Sequence, residues 1–196
     1  MKNIVLRNFN ITANDNRTRK PRQAVELGLL SSNPNVTWEI AEANPDKTWD
    51  WYSLSRNPKV TWEMVEANPD KPWDWACLSF NTSITWEVVY ANPNKRWNWL
   101  GLSRNPSVAT WEIVNGNLDR RWNWSGLSYN SNITWAIVEA NPDEPWDWRG
   151  LSSNHSVATW DVVNANPDKP WDWDELSFNS TFVGKEEVLT KAAGRY

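Results

Sequence analysis

Tryptophan recurs in this chain by a fixed rule. Trp38 is followed by Trp49 and Trp51, and the trio, spaced eleven and then two residues apart, returns to the end of the sequence. From Thr37 the unit reads TWEIAEANPDKTWDWYSLSRNPKV, 24 residues, and it restarts at Thr61, Thr85, Thr110, Thr134 and Thr159. Six copies of three account for all 18 Trp in 196 residues. A unit this short cannot bury its own apolar face and must do so against its neighbours. The spacing therefore predicts an array rather than one globular core.

Within a unit, Thr37 followed by WEIAEAN reads as a helix of about two turns, with Thr as N-cap, an acid in the first turn and Pro45 as the stop. A second short element is expected from Trp49 to Ser55, as α or 3₁₀, capped by Asp46 or the residue before Trp49. At 100° per residue Val36, Ile40 and Ala43 share one face, while Trp38 and position 41 take the opposite one. The outward ridge is then Glu39 and Glu42, repeated as Glu63 and Glu66, Glu87 and Tyr90, and Glu112 and Asn115. In the second element Trp51 and Leu54 share a core face. The column Trp49, Trp73, Trp97, Trp122, Trp146 and Trp171 falls beside variable positions and is expected to be partly exposed, as an aromatic stripe.

Two columns of Asn are near-invariant from copy to copy. One runs through Asn33, Asn57, Asn81, Asn105, Asn130, Asn154 and Asn179, the other through Asn44, Asn68, Asn92, Asn117, Asn141 and Asn166. Asn tolerates left-handed backbone and satisfies turn groups, so both columns are expected to be geometric. Ala109 and Ala158 are single insertions between units, placed at a turn. The organisation predicted is a basic leader at 1–22, a strand or linker; an N-terminal half-repeat cap at 23–36; six repeats over 37–182; and a C-terminal capping helix and tail at 183–196.

Charge is unevenly spread. Residues 31–179 carry 11 basic and 20 acidic side chains, residues 1–30 carry 6 and 2, and the tail from Ser180 carries 3 and 2. An acidic array argues against binding of a phosphate backbone by the repeats themselves. One Cys and one His, Cys77 and His155, supply neither a disulfide nor a metal framework, and no glycine-rich phosphate loop is present. Repeated carboxylates such as Asp50, Asp74, Asp147 and Asp172 suit helix capping better than a paired acid and base. No cofactor, metal or catalytic residue is expected. No apolar run approaches a membrane span or a secretory segment, which reads as an intracellular protein. The run RTRKPR is compatible with a nuclear address.

The period, the Leu-Ser-x-Asn-Pro turn and the paired short elements resemble the leucine-rich variant repeat, which implies alternating α and 3₁₀ helices in a right-handed superhelix. Trp here replaces that family's aliphatic core. The phrase TWEIVEANPDKPWDW also resembles the Trp-rich tandem repeats of giant DNA viruses that infect amoebae, of marseillevirus and mimivirus type, over residues 31–179. That likeness implies a viral protein and carries over no catalytic residue. The fold class expected is all-α, or α plus 3₁₀, as a right-handed solenoid of about six two-helix repeats with half-repeat caps.

The function expected is a non-enzymatic scaffold binding a host or viral protein along the ridge. A second reading is nucleic-acid binding, with Arg17, Arg19, Lys20 and Arg22 on phosphates and the Trp49 column stacking bases. A third is a virion structural component that assembles through the leader.

Overall fold

The computed structural model describes residues 31, 33 and 35–182. The expected leader, most of the first half-repeat and the expected capping helix at 183–196 lie outside the described residues. Twelve short helices lie wholly within them, with no strand. Each unit contributes two. The first helices are α1 (Trp38–Glu42), α3 (Trp62–Ala67), α5 (Trp86–Ala91), α7 (Trp111–Asn115), α9 (Trp135–Ala140) and α11 (Trp160–Ala165). The second are α2 (Trp51–Arg56), α4 (Trp75–Leu78), α6 (Trp99–Arg104), α8 (Trp124–Ser128), α10 (Trp148–Ser153) and α12 (Trp173–Phe178). A 3₁₀ turn, Ser180–Phe182, follows. The all-helical, repeated, Trp-rich architecture is thus present.

The second helix starts at the second Trp of the pair, not at the first as the spacing suggested. Asp50 is its N-cap, extended at φ −83° and ψ 102°, and its carboxylate accepts from the Tyr52 N–H at 3.2 Å. Asp74, Asn98, Asn123, Asp147 and Asp172 cap α4, α6, α8, α10 and α12 in the same way. An acceptor side chain at that place satisfies one of the N–H groups that every helix start leaves open. These helices are α rather than 3₁₀.

Thr occupies the N-cap of every first helix, yet its hydroxyl reaches the backbone only in α7 and α11. Thr110 and Thr159 accept from the Ile113 and Val162 N–H groups, both at 3.4 Å, and these are the two units preceded by an inserted Ala. In the first three units the hydroxyl beside Glu39, Glu63 or Glu87 holds those carboxylates below the ordinary Glu range. A lowered folded value means that the contribution is present above the ordinary range and is lost as pH falls through the lowered one.

Asn closes the first helix. Asn68 donates its amide to the Met64 carbonyl at 2.9 Å, at φ −128° and ψ 58°, so the left-handed conformation expected for this column is not used. The Ala43 column is exposed, where the wheel had placed it in the core. The core is made instead by Leu54, Leu78, Leu102, Leu127, Leu151 and Leu176, all fully buried, by the Val36 column and by the column of Ala41, Val65, Val89, Val114, Val138 and Val163.

Two side-chain ladders join each unit to the next. Ser55 Oγ accepts from the backbone N–H of Asp74 at 2.9 Å, and Ser31, Ser79, Ser103, Ser128 and Ser152 repeat the bond to Asp50, Asn98, Asn123, Asp147 and Asp172. The Asn57 column, expected to serve its own turn, also reaches backwards. Asn105 donates to the carbonyls of Ser79 at 3.2 Å and Asn81 at 2.8 Å while its Oδ1 accepts from the Ser107 N–H. Where Ala is inserted the ladder absorbs it: Ala109 and Ala158 are fully buried, and their carbonyls receive Asn130 and Asn179. The insertions are therefore core residues, not surface slack.

The second helices of successive units pack directly, α2 on α4, α6 on α8, α8 on α10 and α10 on α12. At Gly101 a Cβ would lie 2.8 Å from the Ser79 Cβ and 3.0 Å from the Phe80 ring, and Gly150 meets Ser128 and Tyr129 in the same way. Gly116 is different, since it occupies a helix end where the five other units carry Ala. We expect Gly101→Ala to destabilise by ~1–3 kcal/mol through overpacking, and Gly116→Ala to stabilise by ~0.4–1 kcal/mol through the unfolded chain. Urea denaturation of both variants checks the opposite signs.

Asn105→Asp turns two donors into acceptors facing carbonyls, and should lower stability at neutral pH by about 1–3 kcal/mol or more. That carboxyl's folded pKa is raised, so the deficit grows as pH rises above the ordinary Asp value of ~3.9 and shrinks below it. Denaturation of variant and parent at matched pH measures this.

Candidate binding surface

The columns that repeat from unit to unit are occupied by packing, which limits where a ligand could touch. Each middle Trp after Trp49 is wedged between the first and third Trp of the preceding unit. Trp146 lies edge-on to Trp124 at 5.0 Å between centroids and tilted against Trp111 at 6.0 Å, and the pattern holds for Trp73, Trp97, Trp122 and Trp171. After the last unit Phe182 sits edge-on to Trp160 at 5.9 Å. The indole N–H of each middle Trp is also engaged, donating to the backbone carbonyl of the preceding Asn, for example Trp49 to Asn44 at 3.0 Å and Trp146 to Asn141 at 2.8 Å.

This corrects the expected aromatic stripe. Trp49, Trp73, Trp122, Trp146 and Trp171 are 5–8% exposed, and Trp97 is half-buried. The third Trp of each unit, expected in the core, is half-buried: Trp51, Trp75, Trp99, Trp124, Trp148 and Trp173; so is the first Trp of every unit but one, Trp38 alone of that column being buried. The reason is the cap. With Asp50 outside the helix, Trp49 belongs to an extended segment that turns it inward, and no helical wheel applies to it. The column cannot stack bases without unpacking the core.

The ridge is where the spacing placed it. Glu39, Glu42, Glu63, Glu66, Glu87, Tyr90, Glu112 and Asn115 are all exposed, Tyr90 by 64%. Arg17, Arg19, Lys20 and Arg22 lie outside the described residues. Cys77 is buried, and burial together with the neighbouring Asp74 carboxylate pushes its thiol pKa up, away from the reactive thiolate. His155 is exposed in its turn. Among the described residues no cluster of three or more His, Cys, Asp or Glu is placed to hold a metal ion, and no helix is long and apolar enough to cross a membrane. Every buried side-chain nitrogen or oxygen among them has a partner.

Between units the first helix and the following turn leave a groove on the ridge side. It encloses about 180 Å³ beside Glu42 and Lys47, about 140 Å³ beside Glu139 and Glu144, and about 850 Å³ between the third and fourth units. The large one brings Tyr90 together with Lys95, Arg96, Arg120 and Arg121, over the half-buried Trp86 and Trp99. These cations were missed by a charge count taken over the whole array; counted unit by unit, they stand out. No protein family, curated protein or solved structure compared with this chain matches it.

Loss of a middle Trp removes a wedge and orphans a carbonyl, whereas loss of a third Trp trims a half-exposed ring. We expect Trp146→Ala to destabilise by about 3–5 kcal/mol, and Trp148→Ala by clearly less. Paired denaturation curves decide the order; the stripe expected from spacing alone would have put it the other way.

Proposed function

We propose that the chain is a non-enzymatic interaction scaffold: a right-handed solenoid of six two-helix units, with half-unit caps at 23–36 and 183–196, that binds a host or viral protein along its ridge. The resemblance to Trp-rich repeats of giant viruses supports the viral setting. The observation that carries the reading is a division of labour between columns. Leu54, Ser55, Asn57 and the three Trp are engaged in packing or ladders, and their equivalents barely change along the chain. The ridge at Glu42, Glu66, Tyr90, Asn115, Glu139 and Asn164 is exposed throughout and changes charge and shape from unit to unit. A rigid frame with a varied outer row presents a long surface that a partner can read in register.

The test is affinity capture from infected cells with the intact chain and a Glu39→Lys, Glu63→Lys variant. The captured partner should be lost while the melting temperature stays within about 1–2 °C, because exposed substitutions away from packing change stability little. Undiminished capture, or collapse of the fold, would count against the ridge.

A further inference from the structure

We infer that the groove between the third and fourth units docks an acidic segment of a partner protein. The inference rests on the scaffold reading and names the chemistry of one of its contacts. It starts from substitutions that the frame does not require. Where other units carry Asp46, Asp70, Asp119, Asp143 and Asp168, the third carries Asn94; where they carry Thr48, Pro72, Pro145 and Pro170, the third and fourth carry Arg96 and Arg121. All of these positions are exposed except Asp50-type caps, and there the exchange is more telling. Asn98 and Asn123 replace the capping Asp of the other four units and still cap, accepting from the Gly101 and Gly126 N–H groups at 3.0 and 2.7 Å. The structural job is kept and the negative charge is gone.

The effect is a reversal of sign in the middle of the array. Residues 85–133 carry five basic and three acidic side chains, against four and eight over 31–84 and two and nine over 134–179. Within the groove Arg120 lies 6.0 Å from the Tyr90 ring, while the Lys95 ammonium lies 5.0 Å from the ring of Trp75, in the unit before, so aromatic faces orient two of the cations. The one carboxylate there, Asp119, is 3.9 Å from Arg120. No ion pair among the described residues takes Arg96 or Arg121. Two guanidinium groups, suited to bidentate carboxylate binding, thus face a groove of about 850 Å³ with an exposed Tyr at its edge.

The flanks choose the ligand. A nucleic-acid strand is negative along its whole length and would meet acidic columns on both sides of the groove. A protein surface can alternate in sign, so an acidic, aromatic-bearing loop between basic neighbours complements acid, base and acid in turn.

Anisotropy titrations of the full chain test this with three labelled probes. The first is a short peptide with a Glu, Asp and Phe block between pairs of Lys; the second has the same composition with its charges interleaved; the third is oligo-dT of equal length. The first should bind best, and Arg96→Glu with Arg121→Glu should weaken it at least about tenfold without moving the melting temperature. The same variant should gain affinity for a charge-reversed peptide, which shows that it is folded and competent. Glu39→Lys with Glu63→Lys should leave the first peptide's affinity unchanged. Tighter binding of oligo-dT, equal binding of the two peptides, no binding at millimolar peptide, or indifference to the Arg reversals each overturns the groove. Peptide binding that persists while the ridge variant still captures its partner would sink only the ridge.

Discussion

Helices of four to six residues satisfy almost none of their own backbone, and that deficit organises this protein. A helix leaves its first four N–H and last four C=O groups without internal partners, which for α4 or α8 is nearly every group it has. The missing bonds come from side chains of fixed type: Asp or Asn at the start of each second helix, Asn at the end of each first helix, and Ser and Asn reaching to the adjoining unit. Carbonyls of Asn33, Val36, Asn81 and Ala109 are bonded by an Asn more than twenty residues away. A unit on its own would leave these groups to water. Order in one unit therefore presupposes order in the next, and the invariance of Ser and Asn follows from hydrogen bonding, without any appeal to a ligand.

Trp answers the other half of the problem. A unit of 24 residues offers few core positions, so each must bury a large area, and an indole buries more than any aliphatic side chain. The ring brings a donor that has to be satisfied, and the Asn44 column supplies a carbonyl for it in all six units. One Asn thus closes a helix with its amide and anchors a Trp with its backbone. Edge-to-face contacts between units then set the distance at which second helices meet, close enough that Gly is needed where the facing residue is Phe80 or Tyr129.

Much of this was readable from spacing. The period, the two helices per unit, the Thr and Pro boundaries, the Leu54 core and the exposed ridge all follow from caps and helical periodicity. The misplaced Trp column has a plain cause, a helical wheel applied before the true start of a very short helix. Trp49 went to the surface because the second helix was started two residues early, whereas Ala43 is exposed even where its equivalents Ala67, Ala91, Ala140 and Ala165 lie inside the helix. Asp or Asn at every Trp-x-Trp centre was the available correction, since only capping accounts for that restriction at a site where other polar residues would serve equally in a helix. The cross-unit ladders were less accessible. Nothing in Asn57 or Ser55 taken singly says that the partner lies about twenty residues away; that distance is a property of how units meet, not of either residue.

The same distinction governs where function is to be sought. In an array built from bonds between copies, a column that holds the frame can vary only within its chemistry, as when Asn98 takes the place of Asp50 and keeps the cap. Charge at such a column is separable from its structural duty, because the acceptor oxygen does the capping and the net charge adds little beyond it. A change that preserves the bond and removes the charge then costs at most about 1 kcal/mol at a helix start, and its larger effect is on the field the surface presents. When Asn98 and Asn123 fall in the same two units as the exposed Tyr90, Asn94, Arg96 and Arg121, and all shift the charge the same way, the frame offers no reason for their coincidence. The proposed partner, with a charge of its own, would supply one.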